Sequence, residues 1–209
     1  MEAFMIFLLI VANALGIWSQ KHIQNKLVTE LFKYKANNET KKYVNLLNSP
    51  LCHLFFSKKS RSILLVEYYL SYENYEGIKS SIKELINLEV ESKNSFVELM
   101  KVYVYFLDNG HKKDAIMLEN HLLSKFDDQR HVEFLKEISV LHGIYINHDP
   151  GLIGVLKKQL TKVQDFQEKS VILYRLTKLH ELLNHKAEAN HYMNELRDLA
   201  NNNVKLQKF

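Results

Sequence analysis

Along residues 60–200 the apolar positions recur three and four residues apart in short runs, each broken by a polar turn. This is the pattern of amphipathic helices that pack through one stripe. Ile63, Leu64, Val66, Tyr69 and Leu70 form one stripe, Asn74 marks a turn, and Ile78, Ile82, Leu85 and Ile86 form the next. The following pair carries Phe96, Leu99, Val102, Tyr103, Phe106 and Leu107, a turn at 108–110, and then Ala115, Ile116, Leu118, Leu122 and Leu123. Asp149 is a good N-cap and Pro150 suits a first helical position, ahead of Leu152, Ile153, Val155, Leu156 and Leu160. Asp165, with Glu168 three residues on, opens a further helix through Val171, Leu173, Tyr174 and Leu176, and Ala189, Tyr192, Met193 and Leu196 close the series. Ile78, Ala115, Leu152 and Ala189 stand 37 residues apart at the same point of four similar segments. A fixed period of this size predicts stacked helix pairs rather than a closed globule around a catalytic cleft.

The first part of the chain is patterned differently. Residues 3–20 carry no charge, and 18 residues at about 1.5 Å each span roughly 27 Å, close to the hydrocarbon thickness of a bilayer. Trp18 stands where an interfacial aromatic would, and Lys21, His22, Lys26, Lys33 and Lys35 follow, whereas only Glu2 precedes. The expectation is a transmembrane anchor over 1–20 with its N-terminus outside and the remainder cytoplasmic, at a cell membrane crossed once. Two other readings compete: a cleaved secretory signal, with Ala12, Asn13 and Ala14 as a small-residue site, and a buried capping helix. Residues 21–59 are read as a degenerate first pair, with Ile23, Leu27, Leu31 and Phe32 on one helix and Val44, Leu46 and Leu47 on the next. The period extended backward lands on Lys41, Ser49 and Pro50 end the pair, and 51–59 form an irregular connector. The 201–209 tail is expected to fray.

The alternation of a first helix, a turn with Gly or Asn, and a second helix with a small or aliphatic residue early resembles tetratricopeptide repeats. Gly110 through Ile116 (GHKKDAI) carries the resemblance best, and Asn184 through Ala189 and Asn74 to Ile78 carry it less closely. Ile78 and Leu152 replace the small alanine, Gly143 and His180 replace an aromatic, and the period is longer than that family's. The resemblance implies an all-α, right-handed α-solenoid of four antiparallel pairs over 60–200, following the transmembrane helix. It also implies a concave face, lined by the first helix of each pair, that takes a protein or peptide. Carried over by position, that face includes Ile63, Glu67, Leu70, Met100, Val104, Leu107, Phe134, Glu137, Leu141, Ile144, Tyr174, Lys178 and Glu181. The residues singled out for partner binding are Met100, Val104, Leu107, Phe134, Glu137, Leu141, Tyr174 and Lys178.

Composition narrows the chemistry. A net charge of +4 over 209 residues, with Lys58 and Lys59, Lys112 and Lys113, and Lys157 and Lys158 scattered among acids, suits solvated turns rather than a nucleic-acid track. The single Cys52 excludes an intrachain disulfide and a multi-cysteine metal site. The string His180, Glu181, His185 approaches a zinc-protease motif, but its histidines are five apart, so on one helix about 140° would separate them, and Asn184 lies at the helix-ending turn, which suits a packing His180 and a turn His185. No Gly-rich phosphate loop or recognisable nucleophile turn occurs. The expectation is therefore a non-catalytic, membrane-anchored adaptor or scaffold with no cofactor and no resident metal. Its alternatives are a soluble or secreted helical-repeat binding protein and a metal-dependent hydrolase.

Overall fold

A computed structural model describes the backbone of residues 2–88, 93–125 and 132–206, and the side chains of 18–88, 96–125 and 132–202. Every regular element among the described residues is an α-helix. In chain order these are α1 (Glu2–Ala36), α2 (Thr40–Leu47), α3 (Pro50–Phe55), α4 (Lys58–Ser71), α5 (Tyr75–Asn87), α6 (Lys93–Asp108), α7 (Lys112–Lys125), α8 (Val132–Tyr145), α9 (Gly151–Leu160), α10 (Phe166–Leu182) and α11 (Lys186–Leu206). Consecutive helices pack as pairs, among them α1 with α2, α4 with α5, α8 with α9 and α10 with α11, an arrangement consistent with a helical repeat.

One backbone device closes each pair. Asn38, Glu73, Gly110, His148 and Asn184 adopt positive φ, at intervals of 35, 37, 38 and 36 residues. Each follows the first helix of its pair in the left-handed conformation that lets the chain turn back. The next amide reaches back to the last turn: Glu39 to the carbonyl of Tyr34 at 2.9 Å, Asn74 to Tyr69 at 3.0 Å, His111 to Phe106 at 2.8 Å and His185 to His180 at 2.8 Å. After α8 the turn holds one more residue, and Asp149 bonds to Gly143 at 2.9 Å. These bonds satisfy carbonyls that would otherwise be orphaned at the helix end. Caps fix the other side of two turns, with Asn74 accepting from the Gly77 amide and Asp165 from Glu168, whereas before α9 the cap position falls on Pro150 rather than on Asp149, whose carboxylate accepts from the Gly151 amide in a local turn.

Side-chain volume is exchanged between the two helices of a pair. On α4, Tyr69 lies over Gly77 of α5, where an added Cβ would sit 2.5 Å from the ring's first carbon. In α8 the equivalent position is Gly143, and the large residue is on the partner helix, with Leu152 Cδ1 at 2.6 Å from such a Cβ. The sequence departures at Gly143 and Leu152 thus compensate each other, keeping the shared volume filled.

The chain divides into two compact units, Met1–Val102 and Tyr103–Phe209. In the first, Leu31, Tyr43, Leu47 and Tyr68 form a core flanked by Tyr34, Leu46, Leu64, Leu65, Tyr69 and Tyr72. Tyr43 and Tyr68 stack at 4.1 Å, Tyr43 Oη donates to the Leu64 carbonyl at 3.0 Å, and Tyr68 shares a hydrogen bond with Thr40 at 2.8 Å. Adjacent pairs are tied at the same level: Tyr72 donates to the Lys35 carbonyl, and Lys101 bonds both Glu98 and Glu67. In the second unit, Tyr103 of α6 donates to Glu119 of α7 at 2.9 Å, and His142 of α8 meets the same carboxylate oxygen at 2.9 Å. A nearly buried carboxylate is thereby compensated by two neighbouring helices.

Three expectations change. The boundary drawn at residue 20 is no helix boundary, because α1 runs unbroken for 35 residues. The first pair's anchor is offset by two residues from Lys41, as its period suggested: Tyr43 stands five residues after its left-handed turn, as Ile78 and Ala115 stand after theirs, and is buried. The connector is partly helical, since Ser49 caps α3 by accepting from Cys52 and Pro50 occupies its first position, starting a helix where the sequence suggested an end. The tail from Asn201 to Leu206 continues α11, and residues 207–209 lie outside the described residues.

Left-handed glutamate is disfavoured by roughly 1 kcal/mol or more relative to glycine. Glu73→Gly should raise the urea unfolding midpoint, equivalent to about 1 kcal/mol, with far-UV circular dichroism unchanged.

Candidate partner-binding cleft

Helices α6, α8 and α10 turn one row of side chains into a shared cleft in the second unit, and α11 closes it with Leu196. The cleft encloses about 440 Å³ and is lined by Val104, Glu137, Leu141, Tyr145, Ser170, Val171, Tyr174, Arg175 and Leu196. Val104 lies one turn before Asp108. Leu141 lies one turn after Glu137, and Val171 and Arg175 flank Tyr174 by three and one residues, so helical spacing alone gathers them.

Its floor is apolar and its edges are polar but mutually satisfied. Glu137 and Arg175, 38 residues apart, form an ion pair between α8 and α10. Asp108 at the end of α6 accepts from the hydroxyls of both Tyr145 and Tyr174, the latter at 3.0 Å. Ser170 turns its hydroxyl onto the Phe166 carbonyl at 2.8 Å. Lys178 stands 5.6 Å from the centre of the Tyr174 ring and 3.0 Å from Glu181. Burial, then the neighbouring Asp108 carboxylate, pushes the Tyr145 and Tyr174 hydroxyls above their ordinary range. What remains open to a ligand is hydrocarbon: Val171 keeps 44% of its surface exposed. This arrangement offers non-polar contact bounded by fixed charges, the make-up of a groove that receives an amphipathic segment.

Of the eight residues selected from the sequence, Val104, Glu137, Leu141 and Tyr174 line this cleft. Lys178 covers the Tyr174 ring at its edge. Phe134 is half-buried on α8, Leu107 is buried in the core, and Met100 is half-buried on the part of α6 that belongs to the first unit. Sequence reasoning missed Tyr145, Ser170, Val171, Arg175 and Leu196. The 38-residue spacing of Glu137 and Arg175, opposite in charge and one helix pair apart, was the readable signal for one of them.

The histidine string has a structural account. His180 accepts the turn-closing bond from the amide of His185, and the left-handed Asn184 between them folds the second ring back over the first. Their Nδ1 atoms are 3.3 Å apart, so the angular separation expected on a continuous helix does not apply. Phe106 and His111 occupy the same two places in an earlier turn, with ring centres 6.2 Å apart. His180 is also buried and stacked on Tyr192 at 5.5 Å, and burial, then the nearby His185 and Lys157, pushes it below the ordinary histidine range. Among the described residues no three His, Cys, Asp or Glu side chains converge as a metal site. Cys52 is fully buried, and burial raises its thiol.

Compared with known protein families, with curated proteins and with solved structures, the chain matches none.

The tyrosine hydroxyls give this unit a pH signature. Burial raises Tyr103 and Tyr145, with Glu119 and Asp108 adding to the effect, above an ordinary value near 10. A folded-state value above the unfolded one stabilises fully below about pH 10, and the contribution is lost as pH rises toward the folded value. The urea midpoint should hold up to about pH 9 and fall above pH 10. Tyr145→Phe should flatten that alkaline limb, as followed by circular dichroism alongside phenolate absorbance.

Proposed function

We propose that this chain is a non-catalytic adaptor: a right-handed, tetratricopeptide-like array of helix pairs, held at a membrane by its first helix, that captures a protein segment on the first-helix face. The observation that carries this is the cleft among α6, α8 and α10, whose open surface is mainly the hydrocarbon of Val171 and the half-buried Val104 and Leu196 while its polar edges are already paired. Hydrogen-bonding and charged groups that satisfy each other add little affinity for a small polar substrate, whereas exposed hydrocarbon rewards burial of a partner's apolar side chains. The segment that fits is an amphipathic helix or extended peptide with aliphatic anchors, its charged face meeting Glu137, Arg175 and Lys178 at the rim.

Among the described residues no helix is long and apolar enough to cross a membrane. The anchor reading rests on residues 3–20, and the side chains of 3–17 lie outside the described residues. What supports it is the uncharged apolar sequence there, followed by Trp18 and the run of basic residues, which puts the helix pairs on the cytoplasmic side. Confinement to a surface raises the local concentration of any partner on the same membrane, which gives a scaffold its effect without chemistry.

Two measurements test the two halves of this reading. The full-length protein should remain in the membrane pellet through carbonate extraction, and release into the supernatant would exclude the anchor. Affinity capture from detergent-solubilised membranes should recover a partner with the native chain. It should recover at most about a tenth as much with Val104→Asp and Val171→Asp combined, the result of losing two buried aliphatic contacts. Unchanged helicity in the double variant separates lost binding from lost folding.

A further inference from the structure

The six-residue helix α3 has an unusual orientation of its apolar groups. Cys52 is fully buried, while Leu51 and Leu54, three residues apart on the outward face, are 52% and 76% exposed. α3 packs on α1 and α2, and Gln24 Nε2 of α1 donates to the Phe55 carbonyl at 3.0 Å. That bond fixes the level of α3 along α1. Gln24 follows Trp18 by six residues, so α3 is fastened about 9 Å beyond the tryptophan at about 1.5 Å per residue. Trp18 itself is 68% exposed and stacks on His22 with ring centres 5.8 Å apart.

We propose that α3 is a second lipid contact, in which Leu51 and Leu54 enter the headgroup layer of an anionic bilayer beside the point where α1 leaves it. The proposal rests on the anchor reading above. With the apolar start of α1 in the hydrocarbon and Trp18 at its boundary, α3 is fastened about 9 Å further along α1, at the outer side of a headgroup layer about 5–8 Å thick and within side-chain reach of it. Charge agrees with the level. Lys21 and Lys26 are exposed on α1, and Lys58, the first residue of α4 and three residues past the end of α3, has a side chain 60% exposed that meets Glu84 at 3.5 Å. Such lysines are attracted to anionic headgroups. A protein partner is the poorer occupant, because two leucines fall far short of the roughly 800 Å² per partner that a stable protein interface buries.

The experiment uses the full chain with Trp18→Phe and Leu54→Trp, which moves its single tryptophan onto α3. The protein is reconstituted into vesicles of phosphatidylcholine and phosphatidylglycerol, with or without bromine on the acyl chains near the headgroup. The exposure of Leu54 allows the substitution without repacking, and far-UV circular dichroism verifies it. The expected result is a blue-shifted emission that loses most of its intensity in brominated vesicles, and more of it with phosphatidylglycerol than with phosphatidylcholine alone. Emission unaffected by bromine in protein that floats with the vesicles overturns the α3 contact and leaves the anchor standing. Protein that does not float with the vesicles overturns both. Equal quenching with and without phosphatidylglycerol overturns the requirement for anionic lipid.

Discussion

The left-handed residue at the end of each first helix is the constraint on which the rest depends. It reverses the chain within two or three residues and fixes which face of the following helix meets the preceding one. The bond from the next amide to Tyr34, Tyr69, Phe106 or His180 then locks the reversal without any long-range contact. Four of the five residues in this conformation are not glycine, so the backbone pays a small local strain for a turn that the packing of each pair holds in place. Because the turns fall 35 to 38 residues apart, side chains one pair apart come level with each other. Tyr72 and Lys35, Lys101 and Glu67, Tyr145 and Asp108, and Arg175 and Glu137 are all ties of that kind.

The cleft follows from the same arithmetic. First helices whose ends recur every 37 residues present matching turns side by side, so Val104, Leu141 and Val171 converge although they come from three helices. The polar residues around them are consumed in holding those helices together. Asp108 is bound by two tyrosines and Glu137 by Arg175, so hydrocarbon carries the contact and the rim charges set only its orientation.

The helix pairs were legible in the sequence because apolar stripes at three- and four-residue spacing and polar breaks at Asn74, Gly110 and Asn184 report local geometry directly. What was not legible depended on atoms from elsewhere. The six residues of α3 are too few to show a helical period, and a proline that terminates one helix is equally suited to begin another, as Pro50 does. An apolar stripe cannot distinguish a groove from a core: Leu107 and Val104 share the inward face of α6, yet the first is buried and the second opens on the cleft. Leu196 comes from a second helix, outside any rule that selects first helices. A packed His180 and a turn at Asn184 were legible too, but the angle counted along a continuous helix does not carry across that turn, which folds the His185 ring back over the first.

The unbroken course of α1 makes its length a phase-sensitive variable. Each residue in a helix contributes about 100° of rotation and 1.5 Å of translation. One amino acid inserted between Trp18 and Gln24 would swing the Gln24 amide, and everything fastened through it, by more than a quarter of a circle relative to the indole. The stretch thus behaves as a keyed shaft, whose residue count sets the azimuth of the first unit as well as its distance from the start of the helix.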